Sequence, residues 1–127
     1  MKKIVRTDSA PAPFQGAPYS QAIISGGHVF VSGQLSLRPD HGEIVGETIQ
    51  EQTEQVFANL GAILEAAGSS LDKLVKTTVY LVDLNDFQGM NEVYARHVGD
   101  RPPARATVEI SALPSGAKVE IEAIAEL

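Results

Sequence analysis

The stretch Arg101-Pro-Pro-Ala-Arg-Ala-Thr-Val-Glu-Ile110, a turn at Leu113-Pro-Ser-Gly116 and then Lys118-Val-Glu-Ile-Glu-Ala-Ile-Ala125 decides how the chain folds. Both halves alternate with period two, which predicts two half-buried strands connected through the Pro114/Ser115/Gly116 cluster. Successive strand residues face opposite ways, so Ala106, Val108 and Ile110 share one face and Arg105, Thr107 and Glu109 the other. Val119, Ile121 and Ala123 separate likewise from Glu120 and Glu122. If the apolar faces align, Arg105 and Thr107 stand on the same side of the sheet as Glu120, and a guanidinium, a hydroxyl and a carboxylate share one space. That space is the candidate site. Two readings of it stay open: a chemical pair, or a cross-strand ion pair, which contributes only about 0–1 kcal/mol when exposed.

Working outward, Leu74 to Val82 is rich in β-branched residues and predicts a strand apolar on both sides, with Val75, Thr77, Val79 and Leu81 on one of them. Asp83-Leu-Asn-Asp86 then supplies a helix start for a stripe of Phe87, Met90, Tyr94 and His97, on a helix that carries Asn91 and ends near Gly99. Earlier, Thr48-Ile-Gln-Glu51 has the form of a capping box, and the apolar stripe from Ile49 to Ala67 stops at Gly68. Two strands, Ser20–Ser25 and His28–Leu35, flank Gly26-Gly27 and predict a tight hairpin. In its second strand Val29, Val31, Gly33 and Leu35 share one face and His28, Phe30, Ser32 and Gln34 the other. A short strand at Lys2–Arg6 and a proline-rich loop ahead of Tyr19 complete the order β-β-β-α-β-α-β-β. That order predicts an α+β fold in one domain, residues 1–127, with both helices packed on one face of the sheet. Arg105, Thr107, Glu109, Ser32, Glu120 and Glu122 then fall on the second face, whose half-apolar character predicts a covering partner sheet and hence a homo-oligomer.

Composition excludes several classes. The formal charge is -6 with Lys and Arg scattered singly, so nothing offers the basic footprint of a nucleic-acid binder. No cysteine means no disulfide and no thiolate chemistry. The start is no signal peptide, and no segment approaches the about 18 apolar residues of a membrane span, so a cytoplasmic protein without membrane partners is expected. His28, His41 and His97 lack metal-ligand spacing, so no metal is expected; Ser32 has no Gly-x-Ser-x-Gly elbow, and no phosphate loop is present. Thr107 is either a good strand former or a polar contact. Tyr19 either caps the core with its ring, leaving its hydroxyl in water, or lines a site, and Asn91 either faces solvent or serves one.

The stretches Ala17-Pro-Tyr-Ser-Gln-Ala22, Val29-Phe-Val-Ser-Gly-Gln34, Asp83-Leu-Asn-Asp-Phe87, Met90-Asn-Glu-Val-Tyr94, Pro103-Ala-Arg-Ala-Thr-Val-Glu109, Leu113-Pro114 and Val119-Glu-Ile-Glu-Ala123 together resemble the Rid (YjgF) family, of the RidA type, over essentially the full length. The resemblance implies a chorismate-mutase-like α+β fold with a mixed sheet, a homotrimer, and ligand sites between subunits. It also implies a deaminase that hydrolyses reactive 2-imino or enamine acids, 2-iminobutanoate and 2-iminopropanoate, without a cofactor. Arg105 would clamp the substrate carboxylate and Glu120 would activate water, with Tyr19, Ser32, Gly33, Asn91 and Thr107 as further pocket positions. Many such deaminases have cysteine where this chain has Thr107. The alternative is a non-catalytic trimer that binds small carboxylates or acts as a chaperone; ribonuclease activity, associated with some members, fits the acidic charge poorly.

Overall fold

The computed structural model describes residues 1–40 and 42–127, and the expected loop residue His41 lies outside them. Among the described residues the chain forms β1 (Lys3–Val5), β2 (Ala22–Ser25), β3 (His28–Gln34), helix α1 (Ile49–Ala66), β4 (Leu74–Leu81), helix α2 (Phe87–Val98), β5 (Ala104–Glu109) and β6 (Val119–Glu126), in the expected order. Thr48 accepts a hydrogen bond from the Glu51 N–H, and Glu51 accepts one from the Thr48 N–H, so the capping box starts α1 as its sequence requires. Gly26 and Gly27 both hold positive φ, which gives the β2–β3 turn the twist a two-residue hairpin needs.

The sheet is mixed, ordered β1-β2-β3-β6-β4-β5, with β4 and β5 parallel and every other pair antiparallel. β5 and β6 are therefore not neighbours. The helical crossover through α2 returns β5 parallel to β4, leaving it at the sheet edge. Ile110 N–H then bonds to Leu81 O and Val82 N–H to Lys118 O, so the intervening loop passes the end of β4 and inserts β6 between β3 and β4. The longer, more apolar strand takes the central place, where both its edges are paired.

Both helices cover one face. Val56, Phe57, Leu60, Ile63 and Leu64 of α1 and Met90 and Tyr94 of α2 pack with Val29, Val31, Val79, Leu81, Val119 and Ile121 into one buried cluster. Register then settles which side each polar residue takes. Thr77 stands opposite Arg105 and Val79 opposite Thr107, which puts Arg105 and Thr107 on the helix-covered face. Tyr80 stands opposite Glu120 and Thr78 opposite Glu122, on the open face. The expected common space for Arg105, Thr107 and Glu120 is thus corrected: they face opposite sides of the sheet with β4 between them, and no cross-strand ion pair joins Arg105 to Glu120. At an edge strand the apolar side is not forced inward, because α2 offers β5 polar and aromatic partners; Val108 accordingly stays 43% exposed.

Two bulges change the alternation further. Val31 pairs with Ala123 but Gln34 with Ile121, so β3 holds one residue more than β6 over this span. Gln34 turns into the core and Gly33 faces Glu120, the reverse of a regular strand. A shift between Leu74 and Lys76 likewise buries Leu74 and leaves Val75 half-buried. The open face carries a row of apolar residues in register, Ile4, Ile23, Phe30 and Ile124, in which Ile4 and Phe30 are well exposed.

Candidate active site

The polar residues gather in two clefts. The first lies where α2 meets β5. Phe87, Asn91 and Tyr94 follow one another at helical spacing, so they project from one side of α2 toward the sheet edge. The Arg105 guanidinium lies 4.7 Å from the Tyr94 ring centre and 5.5 Å from that of Phe87, and its Nη1 donates to Asn91 Oδ1 at 2.8 Å. Asn91 thus serves this cleft. The Tyr94 ring is fixed in turn, because its hydroxyl lies 2.6 Å from Thr77 Oγ1 in the core. Among the described residues no carboxylate pairs with Arg105, so most of its donors remain available to an incoming anion. Thr107 Oγ1 is buried without a hydrogen-bond partner, in a residue that lines a cleft of about 640 Å³ with Leu84, Asn85, Phe87 and Gln88. The free donors of Arg105, which packs against the Phe87 wall of that cleft, can bind a carboxylate.

The second cleft, about 530 Å³, opens on the other face and is lined by Tyr19, Ser32, Gly33, Glu120 and Glu122, with Pro11, Phe14, Leu37 and Pro114 as apolar walls. Gly33 makes room for the acid: a Cβ there would stand 2.8 Å from Glu120 Cδ and Oε2. Burial pushes the Glu120 carboxyl above its ordinary range, and the like charge of Glu122 adds to the effect. Tyr80 donates to Glu122 Oε1 at 2.5 Å; chiefly for that reason its phenol is pushed up to about 12. The Ser32 hydroxyl is committed to Ser20 O at 2.6 Å. Tyr19 is 44% exposed and its hydroxyl accepts the Phe14 N–H at 2.6 Å, so the ring does not cap the core and the oxygen has a protein partner. This cleft can accept and return a proton.

Buried amides hold its walls. Gln21 donates to the carbonyls of Thr7, Ala10 and Pro11 and accepts the Thr7 N–H, tying down the proline-rich segment. Asn59 donates to Leu35 O and Leu37 O from α1. Gln21 falls within the stretch 17–22 but no period singled it out, and Asn59 sits on α1 outside the apolar stripe read from the sequence, since a buried amide that bonds loop carbonyls has no period. Phe87 and Tyr94 did carry a signal, their spacing from Asn91, whereas Tyr80 and Glu122 needed the strand order. His97 stacks on Phe57 at 4.7 Å and contacts Glu54 at 2.7 Å, and no group of three or more potential metal-binding side chains occurs among the described residues. Among those residues no helix is long and apolar enough to cross a membrane.

A mixed six-stranded sheet backed by two helices, with one cleft on each side, defines an α+β protein of a recognisable class. Residues 7–127 match the family described as Endoribonuclease L-PSP. The chain is 53% identical to a RutC family protein of Pyrococcus horikoshii, over 98% of both chains. It is 44% identical to the 2-iminobutanoate/2-iminopropanoate deaminase of Mus musculus, over 98% of this chain and 91% of the relative. The crystal structure of RidA from the Antarctic bacterium Psychrobacter sp. superposes with a TM-score of 0.93 at 46% identity, over 98% of this chain and 99% of that one. The chain belongs to the Rid (YjgF, L-PSP) family and has the Rid fold.

Proposed function

We propose that the protein is an enamine/imine deaminase that hydrolyses 2-imino acids such as 2-iminobutanoate and 2-iminopropanoate to 2-oxo acids and ammonia, at sites shared between subunits of a homotrimer. One observation carries this reading: an unpaired guanidinium and a proton-accepting carboxyl lie on opposite faces of one sheet, so they can meet only if one chain's β5 edge docks against a neighbour's open face. The open-face row of Ile4, Ile23, Phe30 and Ile124, with Ile4 and Phe30 well exposed, gives such docking an apolar surface to bury. The name of the mouse relative, a 2-iminobutanoate/2-iminopropanoate deaminase, supplies the substrate class.

In this reading Arg105 binds the substrate carboxylate through two parallel N–H donors, while Asn91 and the two rings hold the fork still. The imine carbon beside the carboxylate then projects toward the neighbour's Glu120. A protonated imine is already electron-poor, so the remaining task is to place and deprotonate one water. Glu120 takes that proton as the C–O bond forms and returns it to the nitrogen. As the C–N bond breaks and ammonia leaves, the carbinolamine O–H proton passes to the Glu120 carboxylate and the C=O bond closes, and the released ammonia carries that proton away as ammonium. A carboxyl held above its ordinary range suits both steps. Thr107 lines the neighbouring cleft and brings no thiol chemistry to it.

The test is to generate 2-iminobutanoate or 2-iminopropanoate in situ with a dehydratase and follow its loss with and without the protein, alongside light scattering. Faster loss from an assembly near three times the chain mass is expected; unaltered decay would refute the reading.

A further inference from the structure

β6 places two carboxylates, Glu120 and Glu122, two residues apart on the open face, and the structure treats them differently. Glu120 is half-buried, its carboxyl in the space that Gly33 leaves by lacking a side chain. Glu122 is exposed and held by a side chain from the next strand: Tyr80 stands opposite Glu120 in the β4–β6 register, yet its hydroxyl reaches diagonally to Glu122 Oε1 at 2.5 Å. The phenol lies alongside Glu120 without bonding to it and fixes the neighbouring carboxylate in one place.

We propose that Tyr80 and Glu122 form a positioning pair, in which the phenol pins a negative charge beside Glu120 and so makes Glu120 the carboxyl that carries the proton during turnover. The proposal rests on the deaminase reading above and names how its acid–base group is set. A phenol is suited to the task because it donates one directed hydrogen bond and, pushed up to about 12, brings no charge of its own at neutral pH. A lysine in its place would draw Glu120 toward the ionised form.

Glu122 is the charged group that acts on Glu120, while Lys118, two residues before Glu120 in the same stretch, is the cation closest to it in sequence. On β3 the facing residues are Ser32 and Gly33; on β4 the nearest cation is Lys76, opposite Ile124 beyond Glu122; on β5 the open-face residues are Ala104, Ala106 and Val108. From the loops the titratable group lining the cleft is Tyr19. In the proposed assembly a neighbour's Arg105 also faces Glu120, but it is common to every variant compared below.

The test is Glu122→Gln, read by carbon NMR titration of the Glu120 carboxyl and by the pH dependence of kcat/KM for imine hydrolysis. Removing the like charge is expected to lower the Glu120 midpoint, on the order of half a pH unit, and the acid limb should move down with it. Tyr80→Phe, which keeps the ring and frees Glu122, should move both in the same direction by less and serves should Glu122→Gln fail to fold. A Glu120 midpoint unchanged in both variants overturns the proposal, as does a midpoint that moves while the acid limb stays. Should the midpoint move in a wild-type background that hydrolyses no imine, the pair stands as an electrostatic device and the deaminase reading falls.

Discussion

The two clefts are organised by different physics. Around Arg105 everything is directional: two aromatic faces, one of them anchored by a threonine, and an amide oxygen hold a permanently charged group with most of its donors free. Around Glu120 the organisation is by exclusion, through a bulge, a missing side chain at Gly33 and a like charge nearby, all of which act on whether a proton is held. The comparison teaches a division of labour. In the proposed reading one face fixes an anion and the other moves a proton, and because the two lie on opposite sides of one sheet a second copy would unite them.

The largest expected effect comes from breaking the anion cleft. Arg105→Ala should remove imine turnover and 2-oxo acid binding together, and Arg105→Lys should recover little, because an ammonium cannot make two parallel bonds or stack between Phe87 and Tyr94. Binding measured by calorimetry beside steady-state rates checks this. If both substitutions leave deamination at wild-type rates, the carboxylate clamp is wrong.

Breaking the proton cleft should separate rate from binding. Glu120→Gln is expected to lower kcat by about 10²-fold or more with 2-oxo acid affinity retained. Its stability should move the other way. With its pKa raised in the folded chain, Glu120 contributes stability that is present below the ordinary glutamate range and lost as pH rises through that range toward the raised value. At neutral pH the ionised group is therefore a net cost that glutamine removes. Thermal melts at pH 7 should show Tm unchanged or raised, and a marked fall would mean that Glu120 holds the fold together instead.

Gly33→Ala sharpens the comparison with a smaller effect. The new methyl falls 2.8 Å from the Glu120 carboxyl, the movable end of a side chain, so the carboxyl shifts while the backbone stays. A loss of roughly 10-fold in kcat with little change in Tm is expected, given how steeply proton transfer depends on placement. Equal activity in the variant would show that the bulge only shapes the strand.

Much of this was legible in residue order. The Thr48/Glu51 box, the stripe ending at Gly68, the Gly26-Gly27 hairpin and the alternation through 101–125 each depend on neighbours in sequence, and each element formed where its pattern placed it. Strand neighbours are a different matter. Alternation says that Arg105 and Glu120 are on polar sides of their strands, but not that β4 lies between them or that β5 turns its polar side toward α2. A one-residue bulge is equally silent, although it decides that Gly33 and not Gln34 faces Glu120. Motifs thus singled out the candidate residues, while their division between two faces required the sheet.

The most direct test of a site built from two chains is to mix the two disabled forms. Arg105→Ala and Glu120→Gln subunits, each inactive alone, are dissociated, combined in equal amounts and reassembled, with mixed assemblies verified by native mass spectrometry. If each site takes Arg105 from one subunit and Glu120 from its neighbour, random trimers carry an intact pair at about a quarter of their sites, and about a quarter of wild-type activity returns. Mixed trimers that form and remain as inactive as their parents would contradict a shared site.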